Sequence, residues 1–354
     1  MSTTVKGMML IEPNKPLEER TFEIEGPGAA EVLVEVAGCG VCHTDISFAC
    51  LGVQTRKELP LVLGHEISGT VTECGAGADS SLRGRKVLVP AVLPCGECDL
   101  CLSDRRRICR SQVMPGNDRH GGFASHVLVP AKYVCPIPEP VLAAHELWEL
   151  SIVSDAVTTP FQAMKLSGLE QGDLAVCIGV GGIGIHEVQV VVASGAKVIA
   201  LDVDDGKLEA AKTAGAHAVV NVAGLSGKEV KGKVKQAAKE IGAPRFCWKI
   251  FETSGTRAGQ ETGFSLLTFG STMMAVGFTM DKIEVRLSNL MAFDARVIGN
   301  WGCDPTLYPE VLDWLAAGRI KVKPYVEKHP LSEINEVFEA AHHGKLERRA
   351  VLVP

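Results

Sequence analysis

The run Asp173-Leu-Ala-Val-Cys-Ile178 is almost wholly apolar and ends in Gly179-Val-Gly181-Gly182-Ile183-Gly184. An apolar helix pattern follows at 183–193. No other feature constrains the fold as strongly. A buried strand, a tight glycine turn and a helix, in that order, make the first βα unit of a doubly wound parallel sheet. The first glycine permits the turn, the second lets backbone N–H groups approach an anion, and the third lets helix and strand pack closely. The helix N-terminus then faces a pyrophosphate. A second strand at 197–201 leads to Asp202, where a carboxylate accepts hydrogen bonds from an adenosine ribose. No arginine follows closely to receive a 2′-phosphate, so NAD is expected in preference to NADP.

The rest of the chain falls on either side of this unit. At 354 residues, two domains are expected. Residues 31–36 alternate apolar and polar, and 86–89 and 127–129 are further short strand candidates between turn-forming glycines and prolines. Beyond Asp202, a helix is expected at 206–214 and strands at 248–251 and 272–276. Helices are expected at 309–317 and 332–342, with a last strand at 350–353. The class is α/β: a β-rich domain from 1–156 with 296–354, and a dinucleotide-binding domain at 157–295.

With 36 Lys+Arg against 42 Asp+Glu, the chain has no electrostatic reason to bind nucleic acid or an anionic membrane. No apolar run approaches the ~20 residues of a membrane span. The first ten residues lack a signal-peptide pattern, so a soluble cytoplasmic protein is expected.

In a reducing compartment, clustered cysteines indicate metal. Cys95, Cys98, Cys101 and Cys109 supply four soft thiolates at a spacing that suits tetrahedral Zn²⁺ and closes its coordination sphere. Such a site is structural. The neighbouring Arg105, Arg106 and Arg107 read as a solvated face. A second constellation is dispersed: Cys42 in Gly40-Val-Cys-His-Thr-Asp45, and His65 in Gly64-His-Glu66. A catalytic zinc needs a third ligand and an open position.

These residues together resemble the zinc-dependent medium-chain alcohol dehydrogenases over essentially the whole length. The resemblance implies a GroES-like β-rich catalytic domain, a Rossmann domain, NAD, and two Zn²⁺ per chain. It assigns Cys42 and His65 to the catalytic zinc and the four-cysteine lobe to the structural one. The family's third ligand lies just before the dinucleotide domain, where this chain offers Asp155. Glu66 becomes a supporting or alternate ligand, and Asp45 orients His65. Thr44 matches the hydroxyl that takes the substrate's proton. Ser47 stands where a relay histidine often follows. His43 matches a pyrophosphate contact and Lys207 an adenosine-ribose contact. Gly179, Gly181, Gly182, Ile183, Gly184, Asp202 and Gly277 complete the cofactor set. Family members are dimers or tetramers, with 305–317 and 272–276 as candidate contacts here.

Segments 115–118, 121–126, 277–282, 285–294 and 299–303 go beyond the general family pattern. They resemble members that oxidise a cyclic hydroxyacyl-CoA thioester, which makes an acyl-CoA the expected small-molecule partner. Two other readings stand beside this one: an enzyme of benzyl or other free alcohols, and a catalytically idle NAD-binding protein.

Overall fold

The computed structural model describes residues 2–354. The chain forms two compact units, Met1–Thr158 with Gly302–Pro354, and Thr159–Trp301. Among the described residues, no helix is long and apolar enough to cross a membrane.

The second unit is built on the glycine-turn strand. Leu174–Ile178 is buried along its whole length and lies inside a six-stranded parallel sheet. The order is Ala218–Asn221, Lys197–Asp202, Leu174–Ile178, Lys249–Glu252, Thr272–Ala275 and Arg296–Gly299. A strand covered on both faces has no polar side to present, which is why its sequence is continuous rather than alternating. The chain winds first to one side of Leu174–Ile178 and then returns to the other. The reversal falls between that strand and Lys249–Glu252, whose carboxyl ends frame the crevice where such sheets bind ligands.

Helices Gly184–Ala193, Asp205–Thr213, Gly227–Glu240 and Arg257–Ser265 connect the strands. Gly227–Glu240 opens with a capping box. Ser226 Oγ accepts from Glu229 N at 3.4 Å, and Glu229 accepts from Ser226 N at 2.8 Å.

One expectation is corrected here. The dinucleotide domain was expected to stop at 295, yet Arg296–Gly299 pairs in parallel with Thr272–Ala275 and extends the unit to Trp301. Thr272–Ala275 is therefore hydrogen-bonded on both sides and offers no free edge to another copy. Arg296–Gly299 is the edge on this side, as Ala218–Asn221 is on the other.

In the first unit, Glu31–Gly40 pairs antiparallel with Glu66–Cys74 and with His126–Pro130. Lys86–Val89 adds to Glu66–Cys74. The C-terminal segment returns to this sheet, with Val351 opposite Gly40 and Leu352 opposite Cys39. Val34, Leu61, Ile67, Val87, Phe123, Val127 and Phe338 pack into one core. The register sets Gly40 opposite Glu66. A Cβ at residue 40 would lie 2.1 Å from Glu66 Oε2, so the missing side chain makes room for that carboxylate. The turn after Gly40 carries Cys42, and the turn before Glu66 carries His65. Strand pairing thus brings together residues that sequence reading had to treat separately.

Candidate active site and metal centres

Cys42 caps the helix His43–Cys50, and Asp45 in its first turn accepts from Cys42 N at 3.0 Å. The other carboxylate oxygen of Asp45 accepts from Gly64 N at 3.1 Å and lies 3.2 Å from His65 Nδ1. One fully buried carboxylate therefore locks both ligand turns and assigns the imidazole proton to Nδ1. Nε2 faces Asp155, whose Oδ2 is 3.8 Å away. Asp155 Oδ2 is also 3.9 Å from Cys42 Sγ. Zinc bonds of about 2.0–2.3 Å in a tetrahedron place such atoms roughly 3.3–3.5 Å apart. These two separations need close by only a few tenths of an ångström around an ion. Burial pulls the His65 pKa down, but the charge of Asp45 and the hydrogen bonds that the ring donates to Asp155 and Asp45 outweigh it and hold the value well above the ordinary one.

Glu66 lies within the same cluster, where the ligand atoms of Cys42, His65, Glu66 and Asp155 are all within 4.8 Å of one another. Its carboxylate is already engaged. Arg349 Nε donates to Oε2 at 2.8 Å, and Nη2 donates to Oε1. Burial pushes Glu66 up to about 7, against the pull of the Arg349 guanidinium. Thr44 Oγ1 sits 3.7 Å from Cys42 Sγ. Ser47 is buried and donates to His43 O at 2.8 Å, so its proton is committed to the helix backbone in this conformation. His43 is exposed at the helix start.

The four-cysteine lobe is more compact. Sγ–Sγ distances are 3.8 Å for Cys95–Cys101, 3.5 Å for Cys98–Cys101, 3.7 Å for Cys98–Cys109 and 3.5 Å for Cys95–Cys109. Sulfurs bonded at about 2.3 Å to one tetrahedral centre are about 3.8 Å apart, so the cluster is almost the size that zinc requires. Backbone N–H groups of Glu97 and Cys98 bring Cys95 down to about 6, while burial pushes Cys101 up to about 12. Four thiolates at this separation need a cation among them.

In the second unit, each glycine of the turn has its own reason. Gly179 has φ +79°, and a Cβ there would lie 2.4 Å from Ser254 Cβ. A Cβ on Gly184 would lie 1.9 Å from Gly179 O. At Gly181 it would meet nothing within 4 Å, so the space above that residue is open. Gly182 is exposed, and Ile183 caps the helix. The open space at the N-terminus of Gly184–Ala193 is one that a pyrophosphate would fit. Asp202 Oδ2 accepts from Val180 N at 2.9 Å, and Oδ1 accepts from Val203 N and Asp204 N at 2.8 and 3.1 Å. It ties the glycine turn to the next strand, and Oδ2 keeps a lone pair for a ribose hydroxyl. Lys207 is half-buried in the first turn of the next helix. At Gly277, a Cβ would lie 2.2 Å from Gly255 N, so close packing of two loops is what requires glycine there.

Residues 28–139 match the alcohol dehydrogenase GroES-like domain, and residues 182–317 match the zinc-binding dehydrogenase domain. An alcohol dehydrogenase of Geobacillus stearothermophilus is 32% identical over 98% of this chain and 98% of its own length. One from Moraxella sp. (strain TAE123) is 32% identical over 98% and 99%. The crystal structure of the alcohol dehydrogenase from the archaeon Aeropyrum pernix superposes with a TM-score of 0.87 at 27% identity, covering 99% of this chain and 100% of that one. The chain belongs to the zinc-dependent medium-chain alcohol dehydrogenase family.

In this alcohol dehydrogenase, the two cysteine-containing clusters fit zinc, and the glycine turn fits NAD. Two residues of the site had no signal in the sequence. Arg349 reaches Glu66 across 283 residues, and Tyr308 donates to Ser154 O across 154 residues. Neither stands in a motif. Only the return of the C-terminal segment to the first unit reveals them.

Proposed function

We propose that this dehydrogenase oxidises the ring secondary alcohol of 6-hydroxycyclohex-1-ene-1-carbonyl-CoA to the 6-oxo thioester in anaerobic benzoyl-CoA degradation. The observation that carries the alcohol chemistry is the convergence of Cys42, His65 and Asp155 beside Thr44, while Arg349 occupies Glu66. The acyl-CoA part is supported by the segments 115–118, 121–126, 277–282, 285–294 and 299–303, which resemble 6-hydroxycyclohex-1-ene-1-carbonyl-CoA dehydrogenase.

Cys42, His65 and Asp155 would hold a zinc ion that would supply Lewis acidity toward the substrate hydroxyl, and NAD would supply the hydride acceptor. The protein's own residues do the rest. Asp45 keeps His65 in the Nδ1–H tautomer, so Nε2 stays a ligand. Thr44 Oγ1 takes the hydroxyl proton. Onward transfer does not run through Ser47 in this conformation, because its hydroxyl donates to His43 O. Water or a ribose hydroxyl of the cofactor would have to carry the proton onward. His43, Lys207, Asp202 and Gly277 are assigned to the cofactor on the family pattern.

A homo-oligomer is part of the same reading. The edge strand Arg296–Gly299 is parallel-paired on one side, with Val297 exposed, and Met291 and Trp301 exposed nearby in the chain. An edge with unpaired backbone groups and exposed apolar side chains is a template for another strand. Val297→Lys is expected to shift the sedimentation coefficient to that of a smaller species.

The substrate is tested by NADH formation with zinc-replete enzyme, comparing the thioester with benzyl alcohol and simple secondary alcohols. Fast turnover of the thioester alone supports the reading. Turnover of free alcohols with an inert thioester overturns the substrate and leaves the alcohol dehydrogenase chemistry in place.

A further inference from the structure

Tyr308 opens the helix Tyr308–Ala316 and is completely buried. A buried phenol needs a partner for its hydroxyl. This one donates to Ser154 O, the carbonyl immediately before Asp155, and accepts from Ala91 N at 3.3 Å. Ala91 N also approaches Ser154 O at 3.3 Å, and Ser154 Oγ donates to Ile67 O at 2.8 Å. The residue preceding Asp155 is thus held from three directions. One of these contacts runs to the strand that begins at Glu66, next to His65.

The start of that helix is itself anchored. Asp304 Oδ1 accepts from Thr306 N at 3.0 Å and from Thr306 Oγ1 at 2.8 Å, which sets the turn leading into Tyr308. Asp304 Oδ2 lies 3.4 Å from Arg106 Nε. Arg106 Nη1 donates to Cys101 O at 3.3 Å, inside the four-cysteine lobe. A line therefore runs from the lobe through Arg106 to Asp304, along the chain through the Thr306 turn to Tyr308, and from there to Ser154, next to Asp155.

We propose that Tyr308 is a positioning residue for Asp155, and that the Arg106–Asp304 pair ties it to the four-cysteine lobe, so that the lobe governs how firmly the catalytic metal is held. The proposal rests on Asp155 being a ligand of that metal. The partners that orient metal ligands typically matter 10–100-fold in affinity. Coupling between two sites is reciprocal.

The test follows zinc rather than turnover. Full-length, zinc-loaded enzyme is titrated with a chelator, and Cys42→Ala, which lacks the catalytic equivalent, identifies the release that belongs to the lobe. Tyr308→Phe is expected to release the catalytic equivalent about tenfold more readily while the lobe keeps its own. Arg106→Gln is expected to act in the same direction. The double variant should fall short of the product of the two effects, because both act on one line of contacts.

Wild-type release in Tyr308→Phe and Arg106→Gln overturns the proposal, and so do effects that multiply independently. If Tyr308→Phe does not fold, Arg106→Gln, on a partly exposed ion pair, decides the matter by itself. Asp155→Asn, measured in parallel, separates the two levels. Loss of the catalytic equivalent there, with none in Tyr308→Phe, overturns only the positioning role. Wild-type release in Asp155→Asn overturns the ligand reading.

Discussion

Arg349 grips both oxygens of Glu66, with Nε 2.8 Å from Oε2 and Nη2 on Oε1, and so holds a carboxylate beside His65 without surrendering it to the metal cluster. Both side chains are nearly inaccessible to solvent. Removing one partner of such a pair leaves a buried, uncompensated charge and costs about 3–5 kcal/mol. Arg349→Met should lower stability by that order in urea unfolding. Arg349→Met with Glu66→Gln should recover most of it. A single variant as stable as the wild type would show that the pair does not fix Glu66.

The His65–Asp45 contact sets a pH dependence. The buried imidazole is held well above its ordinary value by Asp45 and Asp155, despite the opposing effect of burial. In metal-free protein, the stability contributed by protonated His65 is fully present below about 6.5 and is lost as pH rises through the raised folded-state value. Zinc binding runs the other way. It needs an unprotonated Nε2, so affinity should rise with pH over the same window. Asp45→Asn should flatten that dependence and weaken catalytic zinc binding about 10–100-fold. Zinc titrations by calorimetry at several pH values check this, and a flat profile in the wild type would contradict it.

Gly181 and Gly184 predict opposite outcomes for the same substitution. Gly181→Ala adds a methyl where nothing lies within 4 Å, so the fold should hold while the KM for NAD rises. Gly184→Ala would put a methyl 1.9 Å from Gly179 O. That overlap should cost about 1–3 kcal/mol of stability. Thermal midpoints and NAD kinetics on the two variants separate the roles.

Cys98→Ser should leave one zinc per chain and lower the thermal midpoint. The lobe brings four sulfurs together on a short segment whose Cys95 and Cys98 are only half-buried. Metal binding then supplies stability that the lobe's own packing does not. Metal analysis alongside thermal unfolding tests it. Two zinc equivalents retained in the variant would rule out the four-sulfur site.

The parts legible in the sequence were those whose signal is local. The strand, the glycine turn and the helix at 174–193 are contiguous, and the four lobe cysteines lie between residues 95 and 109. Cys42 and His65 were legible through short motifs, and Gly40 opposite Glu66 in the sheet register explains why they meet. The edge strand Arg296–Gly299 was missed because it is largely exposed and lacks the apolar run of an inner strand. That is why the domain boundary was set too early. Arg349 and Tyr308 were missed for a different reason. Each acts on a distant backbone or carboxylate, and only tertiary structure brings it there.

Zinc content of Asp155→Ala, measured together with its turnover, tests the central claim most directly. The arrangement of Cys42, His65 and Asp155 predicts that the variant keeps the lobe zinc, loses the catalytic one and forms no NADH from the alcohol. Two zinc ions per chain with full turnover would contradict it.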